Sequence, residues 1–436
     1  MTFAAAHDPR AWSRAASESW LAGSSLFQGC TTALITAIVL VNEANLRVSK
    51  VQDYQIDSQV LTRLVICLVS GLLGAVALPK AWPLVCRIPP LFLGGYIAWV
   101  LVTAPLAYAP IQAIAGAGSL ACVLLFAAMV VATRSERDIY IPVLAGLTLY
   151  IVGSWITFIA FPAYGRDPYD EAAMGGALRL GGLSHPNNTG RLCALGLGLA
   201  LAAMRQGYLS WLTGAAFAIL SGVSLLATGS RTSLMAALVV SALVTWRGLP
   251  SWLRGWAVMG VLLAAGLGMV AVGLDLAGTT MNAVLETSAR SGDPTEVLSL
   301  SGRTELWYDV WARIAETPLV GHGHGCARFV LAGRDWETHH AHNQFLNILL
   351  TTGVVGAALV AAAVAWMLFA VWVQPLDLAD VVVLAILVVG MSDVSILQSL
   401  PDGYTLLFLI ALLARVAPST SDWPATLPSE QAGEGP

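Results

Sequence analysis

The sequence predicts an all-α polytopic membrane protein with about 12 transmembrane helices. Of its 436 residues, 57% are hydrophobic and only 11% are charged. Its long runs, such as the one from Trp211 to Ala227, are apolar on every side, and in hydrocarbon such a run satisfies its backbone polar groups only as a helix. A membrane β-barrel would instead alternate polar and apolar positions over segments of about ten residues. The predicted architecture is therefore a bundle of helices that cross a bilayer.

The apolar runs set the order of the predicted spans. We place transmembrane helices at 21–41, 59–79, 89–109, 111–132, 139–162, 190–205, 208–227, 231–247, 253–275, 343–372, 378–398 and 403–416. Residues 1–20 are mixed polar, so the first span is predicted to be an uncleaved anchor that leaves a cytoplasmic N-terminus. Two polar segments, 162–190 and 276–342, follow odd-numbered spans and are predicted to emerge together as periplasmic loops.

This topology predicts five consecutive regions. They are the cytoplasmic N-terminus 1–20, spans one to nine within 21–275, the large periplasmic loop 276–342, spans ten to twelve within 343–416, and the tail 417–436. The tail is rich in Pro, Ser and Gly and is predicted to be disordered on the cytoplasmic side. An inner bacterial membrane is the predicted location.

The distribution of cations gives a mixed test of this orientation. The predicted inner connections hold a set of Lys and Arg residues that suits short cytoplasmic loops: Lys80, Arg87, Arg134, Arg137, Arg205, Arg247 and Arg254. The outer side holds even more arginines. Because long loops contribute little to orientation, we interpret the outward arginines as a binding site.

Arg191 and Arg231 lie at the mouths of predicted helices, where a cation is costly unless an anion pairs with it. Arg166, Arg179 and Arg303 lie in the loops on the same face. The planar guanidinium pairs bidentately with phosphate oxygens, so this set suits the pyrophosphate of a lipid headgroup. The alternative for each single arginine is that it reaches an ordinary phospholipid phosphate or pairs with a nearby acid.

Five of the seven histidines lie close together in the chain, and they are His322, His324, His339, His340 and His342. The pattern His-x-His occurs twice, so one interpretation is a zinc or copper site completed by Asp335 or Glu337. The chain has no HExxH or CxxC pattern, and no metal is expected.

The second interpretation of these histidines is acid–base chemistry. If the helix begins near Thr338, His339 and His342 share one face and His340 points away from it. An imidazole titrates near neutral pH, so one of the facing pair is a candidate general base beside the arginines. The alternative is that these histidines are ordinary polar residues at a helix entrance.

The stretch TELWYDVWARIAETP in the large loop predicts an amphipathic helix. Its apolar stripe is formed by Leu306, Trp307, Val310, Trp311 and Ile314. Such a helix either lies at the membrane surface with its tryptophans at headgroup level, covering the arginines, or packs against the loop's own small domain.

Four ordered motifs then resemble one known family. They are similar to motifs of the O-antigen ligase and polymerase superfamily of bacterial envelope glycosyltransferases, and they occur in the family's order. The four stretches are RLGGLSHPNNTG, ATGSRTSL, SGRTELWYDVWARIAETPLVGHGHGCARF and HNQFLNILLTTGVVG. The matching motifs cover roughly the second half of the chain.

The resemblance implies a reaction and a fold. Such ligases transfer O-antigen from undecaprenyl pyrophosphate to a sugar hydroxyl of lipid A-core at the periplasmic face, with a fold of the GT-C type, no cofactor and inversion at the sugar carbon. Membrane lipids are the other expected partners, and nucleic acid is not one.

The resemblance also implies roles for the residues above. Fixed cations must meet the charge on a departing pyrophosphate, which assigns Arg191, Arg231 and Arg303 to it, followed by Arg166 and Arg179. His339 or His342 would take the acceptor proton. Asn343 and His340 would support them.

The motifs are also compatible with other functions. An O-antigen polymerase or a protein O-oligosaccharyltransferase uses the same donor chemistry, so the motifs do not separate these from a ligase. A transporter or flippase would also have about twelve spans, but it favours internal repeats and ionisable residues near the bilayer midplane. A lipid-binding scaffold would not need its histidines.

Overall fold

The computed structural model describes residues 24–45, 57–166, 178–250, 252–256, 259, 303–332, 338–373 and 377–416. Every regular element among these residues is helical. In chain order the helices are α1 (Ser25–Val41), α2 (Ser58–Val76), α3 (Leu78–Val85), α4 (Ile88–Thr103), α5 (Pro110–Thr133), α6 (Glu136–Ala160), α7 (Pro162–Gly165), α8 (Pro186–Arg205), α9 (Trp211–Thr228), α10 (Arg231–Gly248), α11 (Arg303–Glu316), α12 (Ala327–Val330), α13 (Gln344–Val373), α14 (Leu378–Gly390) and α15 (Gly403–Val416). A short 3-10 turn, Ala104–Leu106, extends α4, and 252–256 form one further helical turn.

The predicted helical membrane protein is confirmed at this level. Six helices of the described residues are long and apolar enough to cross a bilayer, and α1, α14 and α15 are shorter apolar helices. Most of the predicted span 253–275, and the loop up to residue 302, lie outside the described residues. The total of about 12 spans therefore stays a prediction.

One predicted span is too long. The apolar run at 378–398 was assigned to a single helix, but α14 ends at Gly390 and the connection to α15 is not helical. The side chains of Gln344 and Thr405 bond the backbone of this connection, so its polar groups do not require a helix. This connection, residues 391–402, is called the Asp loop below because it carries Asp393.

Small residues allow the helices of the bundle to pack closely. A Cβ atom on Gly74 of α2 would lie 2.6 Å from the backbone of Leu125 in α5, and one on Gly198 of α8 would lie 2.5 Å from Val240 in α10. In lipid, where helix association rests on van der Waals contact, such positions permit close backbone approach. Close approach of this kind joins α2 to α5 and α8 to α10, while α15 lies almost entirely in the buried core.

Buried polar groups fix the end of the bundle where α14 begins. Arg415 Nη2 lies 3.1 Å from Asp377 Oδ1 and also pairs with Asp380. Tyr208 donates a hydrogen bond of 2.8 Å to Glu136, which starts α6. Glu136 Oε1 also accepts a hydrogen bond of 3.2 Å from Leu378 N, so these contacts tie together α6, α14 and α15.

Helix α13 is interrupted at Gly353, whose φ is 67°. The carbonyls that this break releases accept hydrogen bonds from the glycine-rich stretch that follows α11: His322 N bonds Leu350 O at 3.0 Å and Gly323 N bonds Thr351 O at 2.8 Å. A Cβ on Gly353 would lie 2.2 Å from Leu319 O. Glycine is therefore required at this crossing, which anchors the stretch beside α13.

Helix α11 packs on α13 and is not a separate small domain. Leu306, Val310 and Ile314 are buried in the main core, as the predicted apolar stripe requires. Trp307 donates a hydrogen bond to Ala341, whereas Trp311 is 52% exposed and does not belong to the buried stripe. The stripe is thus narrower than the sequence pattern indicated.

Candidate active site

A cleft forms where the starts of α8, α10 and α11 meet the Asp loop. It is lined by Asn187, Arg191, Ser230, Thr232, Ser233, Arg303, Val389 and Asp393. The space, including its open mouth, is about 180 Å³. This small space, lined by two arginines and several hydroxyls, suits a phosphate-sized part of a larger ligand.

The histidines next to the cleft lie on non-helical chain. Helix α13 begins at Gln344, and Asn343 caps it by accepting a hydrogen bond of 3.0 Å from Leu346 N. Residues 338–343, called the His segment below, have their backbone bonded to side chains: Asn347 accepts from Ala341 N at 3.2 Å and Trp307 donates to Ala341 O at 2.9 Å.

The prediction that His339 and His342 share a helical face is therefore wrong. The rings that come together are those of His340 and His342, with centroids 4.2 Å apart. His342 adopts a φ of 47°, a left-handed conformation that is uncommon outside glycine. His339 is partly buried and lies outside the group formed by the other two and Asp393.

Asp393 joins the two rings. Its Oδ1 lies 3.7 Å from His340 Nε2 and 3.7 Å from His342 Nδ1. His340 Nδ1 accepts the backbone N–H of His342 at 3.2 Å, so both nitrogens of His340 face the protein. Burial and the neighbouring His342 lower the pKa of His340 well below its ordinary value, and Asp393 offsets only part of this. His340 is therefore neutral, in keeping with its role as an acceptor.

Burial alone would raise the pKa of Asp393, but the nearby charge of Arg191 outweighs it and holds that pKa far below its ordinary range. The carboxylate is thus ionised inside the protein. Sequence reasoning missed Asp393 because it was counted within a span. An acid inside an apolar run is itself a signal of function in a membrane protein, and that signal was available.

Side chains at the start of α13 hold the Asp loop. Gln344 accepts hydrogen bonds from Ser395 N at 2.8 Å and from Ile396 N at 2.9 Å, and donates one of 2.9 Å to Ile396 O. Asn343 donates a bond of 3.0 Å to Met391 O. Because both residues directly follow His342, one stretch of chain positions both the imidazole and the carboxylate.

Arg191 connects Asp393 to the cleft. This side chain is only 4% exposed, its Nη1 lies 3.8 Å from Asp393 Oδ2, and it also donates to Val394 O. Its guanidinium lies 5.5 Å from the centroid of the Tyr404 ring. Arg191 is therefore a fixed cation, as sites that stabilise developing charge require.

Two more arginines begin helices at or beside the cleft. Arg303 starts α11 and lines the cleft; Arg231 starts α10 between the lining residues Ser230 and Thr232 but does not itself line the cleft. Burial lowers the pKa of Arg303; Asp393 raises it, and the nearby Arg231 lowers it again. Two guanidiniums that repel each other are stabilised by an anion between them. The N-terminus of α10 adds backbone N–H groups, since the first N–H groups of a helix have no partner within it.

The structure does not bring the remaining predicted arginines to the cleft. Arg179 donates to Thr228 O at 2.7 Å and to Asn187 Oδ1 at 2.8 Å. Arg166 lies over the ring of Phe158, 5.1 Å from its centroid. Neither side chain lines the cleft, although Arg179 contacts a residue that does.

Within the described residues, one group has donor atoms close enough to bind a metal. His340, His342 and Asp393 offer ligand atoms within 4.8 Å of one another. Two imidazoles and a carboxylate are a set that zinc accepts. Arg191 lies 3.8 Å from the other oxygen of the same carboxylate, and this positive charge opposes a second cation there.

The comparison with known families matches a region that contributes residues to the cleft and contains the His segment. Residues 216–361 match the family model described as O-antigen ligase. The matched part, about a third of the chain, runs from within α9 into α13 and includes Arg231, Arg303 and the His segment. Asn187, Arg191 and Asp393 lie outside it. A search of curated proteins gives no match to the chain.

Proposed function

We propose that this chain, a member of the O-antigen ligase and polymerase superfamily, transfers O-antigen glycan from undecaprenyl pyrophosphate to a sugar hydroxyl of lipid A-core. The single observation that carries the proposal is Asp393, which links the two imidazoles on one side to Arg191 in the cleft on the other. A proton acceptor and an anion site thus lie next to each other. The proposal includes a GT-C type fold and a site that faces the periplasm of an inner membrane, with segments 162–190 and 276–342 on that side.

His342 is the proposed general base. Asp393 Oδ1 lies 3.7 Å from its Nδ1, and the negative charge there favours the tautomer with hydrogen on that nitrogen, which leaves Nε2 as the proposed basic atom. The charge of the carboxylate stabilises the imidazolium that forms. His340 positions His342 through the hydrogen bond that its Nδ1 accepts, and Asn343 and Gln344 hold the Asp loop.

The proposed pyrophosphate site consists of three arginines and the N-terminus of α10. The arginines are Arg191, Arg303 and Arg231. In the reaction the acceptor oxygen bonds to the anomeric carbon, the bond from that carbon to the phosphate oxygen breaks, and the pyrophosphate leaves with the electron pair. The acceptor proton moves to His342 Nε2. Fixed cations that meet the leaving charge supply the stabilisation, so a metal ion is not part of the proposed step. A single displacement inverts the anomeric centre.

The proposal is tested by reconstituting the purified protein with undecaprenyl-pyrophosphate glycan and lipid A-core in EDTA. We expect glycan on lipid A-core with wild type, and its loss with His342→Ala and Arg191→Ala. Arg313→Ala is a matched control, because Arg313 is an exposed arginine of α11 that pairs with Glu316. Longer lipid-linked glycan, or a modified protein, would assign the chain to a polymerase or a protein transferase. Movement of glycolipid without any transfer would refute the enzyme.

A further inference from the structure

Asn187 occupies the second position of α8 and lines the cleft. Arg179 Nη2 donates to its side chain at 2.8 Å. A guanidinium has only donors, so the atom that accepts this bond is the amide oxygen, and the orientation of the amide follows from the chemistry.

Arg179 is itself fixed in place. Its Nε donates to Thr228 O at 2.7 Å, at the end of α9. The neighbouring Gly229 has a φ of 59°, and a Cβ there would lie 3.3 Å from Arg179 Nε. The tight turn between α9 and α10 therefore provides the surface on which the guanidinium rests, and through it sets the direction of the Asn187 amide.

Two of the polar groups of Asn187 already have hydrogen-bond partners within the protein. Its backbone N–H donates to His185 Nδ1 at 3.2 Å, so the helix start is already capped. Its Oδ1 is taken by Arg179. Among the described residues, none accepts a hydrogen bond from Nδ2, which leaves two N–H donors at a cleft that also holds Arg191 and Arg303.

We propose that Asn187 binds a phosphate oxygen of the lipid-linked donor through Nδ2, and that Arg179 is the positioning residue that fixes this amide. The inference rests on the proposed function and adds a neutral donor to the charged ones. A phosphate oxygen is a fitting partner because it only accepts hydrogen bonds, and the same cleft is lined by the guanidiniums of Arg191 and Arg303, which attract the charge of such an oxygen.

A purely structural role makes the opposite prediction for one substitution. If Asn187 served only to brace Arg179, Asn187→Asp would be tolerated, since a carboxylate accepts from a guanidinium at least as well as an amide does. If Nδ2 binds phosphate, the same change removes both donors and places a negative charge against the ligand.

The test measures the KM for undecaprenyl-pyrophosphate glycan, kcat, and direct binding of undecaprenyl pyrophosphate by the full chain in detergent. We expect Asn187→Asp to weaken binding and raise KM by about tenfold or more, because a hydrogen bond to a charged group is lost. Asn188→Asp is the matched control: this neighbour donates to Ser184 Oγ at 3.1 Å, lies outside the cleft, and should stay within about twofold of wild type.

Two further variants keep the test decisive. Asn187→Ala replaces Asn187→Asp if thermal unfolding shows that the latter is misfolded, with the same rise in KM expected. Arg179→Lys, which frees the amide to turn, should raise KM with little change in kcat. An unchanged KM and affinity for both Asn187 variants, with active wild type, would overturn this inference alone. Wild type that neither transfers glycan nor binds undecaprenyl pyrophosphate would overturn the proposed function and this inference with it.

Discussion

Replacing Asp393 by asparagine removes one charge and keeps the shape of the side chain. When His342 takes the acceptor proton, it becomes an imidazolium 3.7 Å from Asp393 Oδ1. With an effective dielectric constant of about 20, two unit charges at that distance attract by about 4 kcal/mol. Losing about 1.4 kcal/mol of transition-state stabilisation slows a reaction tenfold, so we expect kcat to fall about a thousandfold.

The same substitution separates the roles of the two halves of the site. Asp393 also lies 3.8 Å from Arg191, and removing its charge leaves that cation without its carboxylate. Binding of the anionic donor should therefore hold or improve, so the loss appears in kcat and not in KM.

The assay is steady-state transfer from undecaprenyl-pyrophosphate glycan to lipid A-core, with thermal unfolding as a check on the fold. Glu305→Gln is the control, since it removes a carboxylate from the exposed face of α11. If Asp393→Asn kept kcat within about tenfold of wild type, or raised the donor KM as much as it lowered kcat, the carboxylate would not act on the histidine as argued.

Three further predictions concern the frame of the site. Gln344→Ala leaves the backbone of Ser395 and Ile396 without its three hydrogen bonds and should cost about 3 kcal/mol of stability, read as a lower Tm together with a lower kcat. Gly353→Ala forces a side chain against the stretch that crosses α13 and should prevent stable folding, whereas Gly118→Ala, with open space around it, should leave the Tm unchanged or slightly higher. Burial raises the pKa of Glu43 to about 8, so the neutral carboxyl is favoured in the folded state and the stability of the protein should fall as pH rises from about 4.5 to 8. Glu43→Gln should make the Tm less dependent on pH across that interval, and an unchanged slope would contradict the raised pKa.

The helices could be predicted from the sequence because they depend on local composition. Apolar runs such as those of α5 and α13 require helical hydrogen bonding in lipid wherever they occur in the chain. The glycine at the break in α13 and the arginines that begin α10 and α11 also stood in recognisable motifs, and the family match covers them.

The arrangement of the site required the tertiary structure. Which histidine meets a carboxylate was decided by the His segment, whose conformation depends on Trp307 and Asn347 rather than on helical periodicity. Asp393 reaches Arg191 from a part of the chain about two hundred residues away. Arg179, predicted to bind phosphate, donates hydrogen bonds to Thr228 O and to Asn187.

The sequence by itself therefore determined the long apolar helices among the described residues. The tertiary structure decided which of them touch. The physical reason is that a helix satisfies its own backbone, so its position can be read from a short stretch of residues. The His segment and the Asp loop satisfy theirs through distant side chains such as Gln344, and those contacts exist only once the helices have packed.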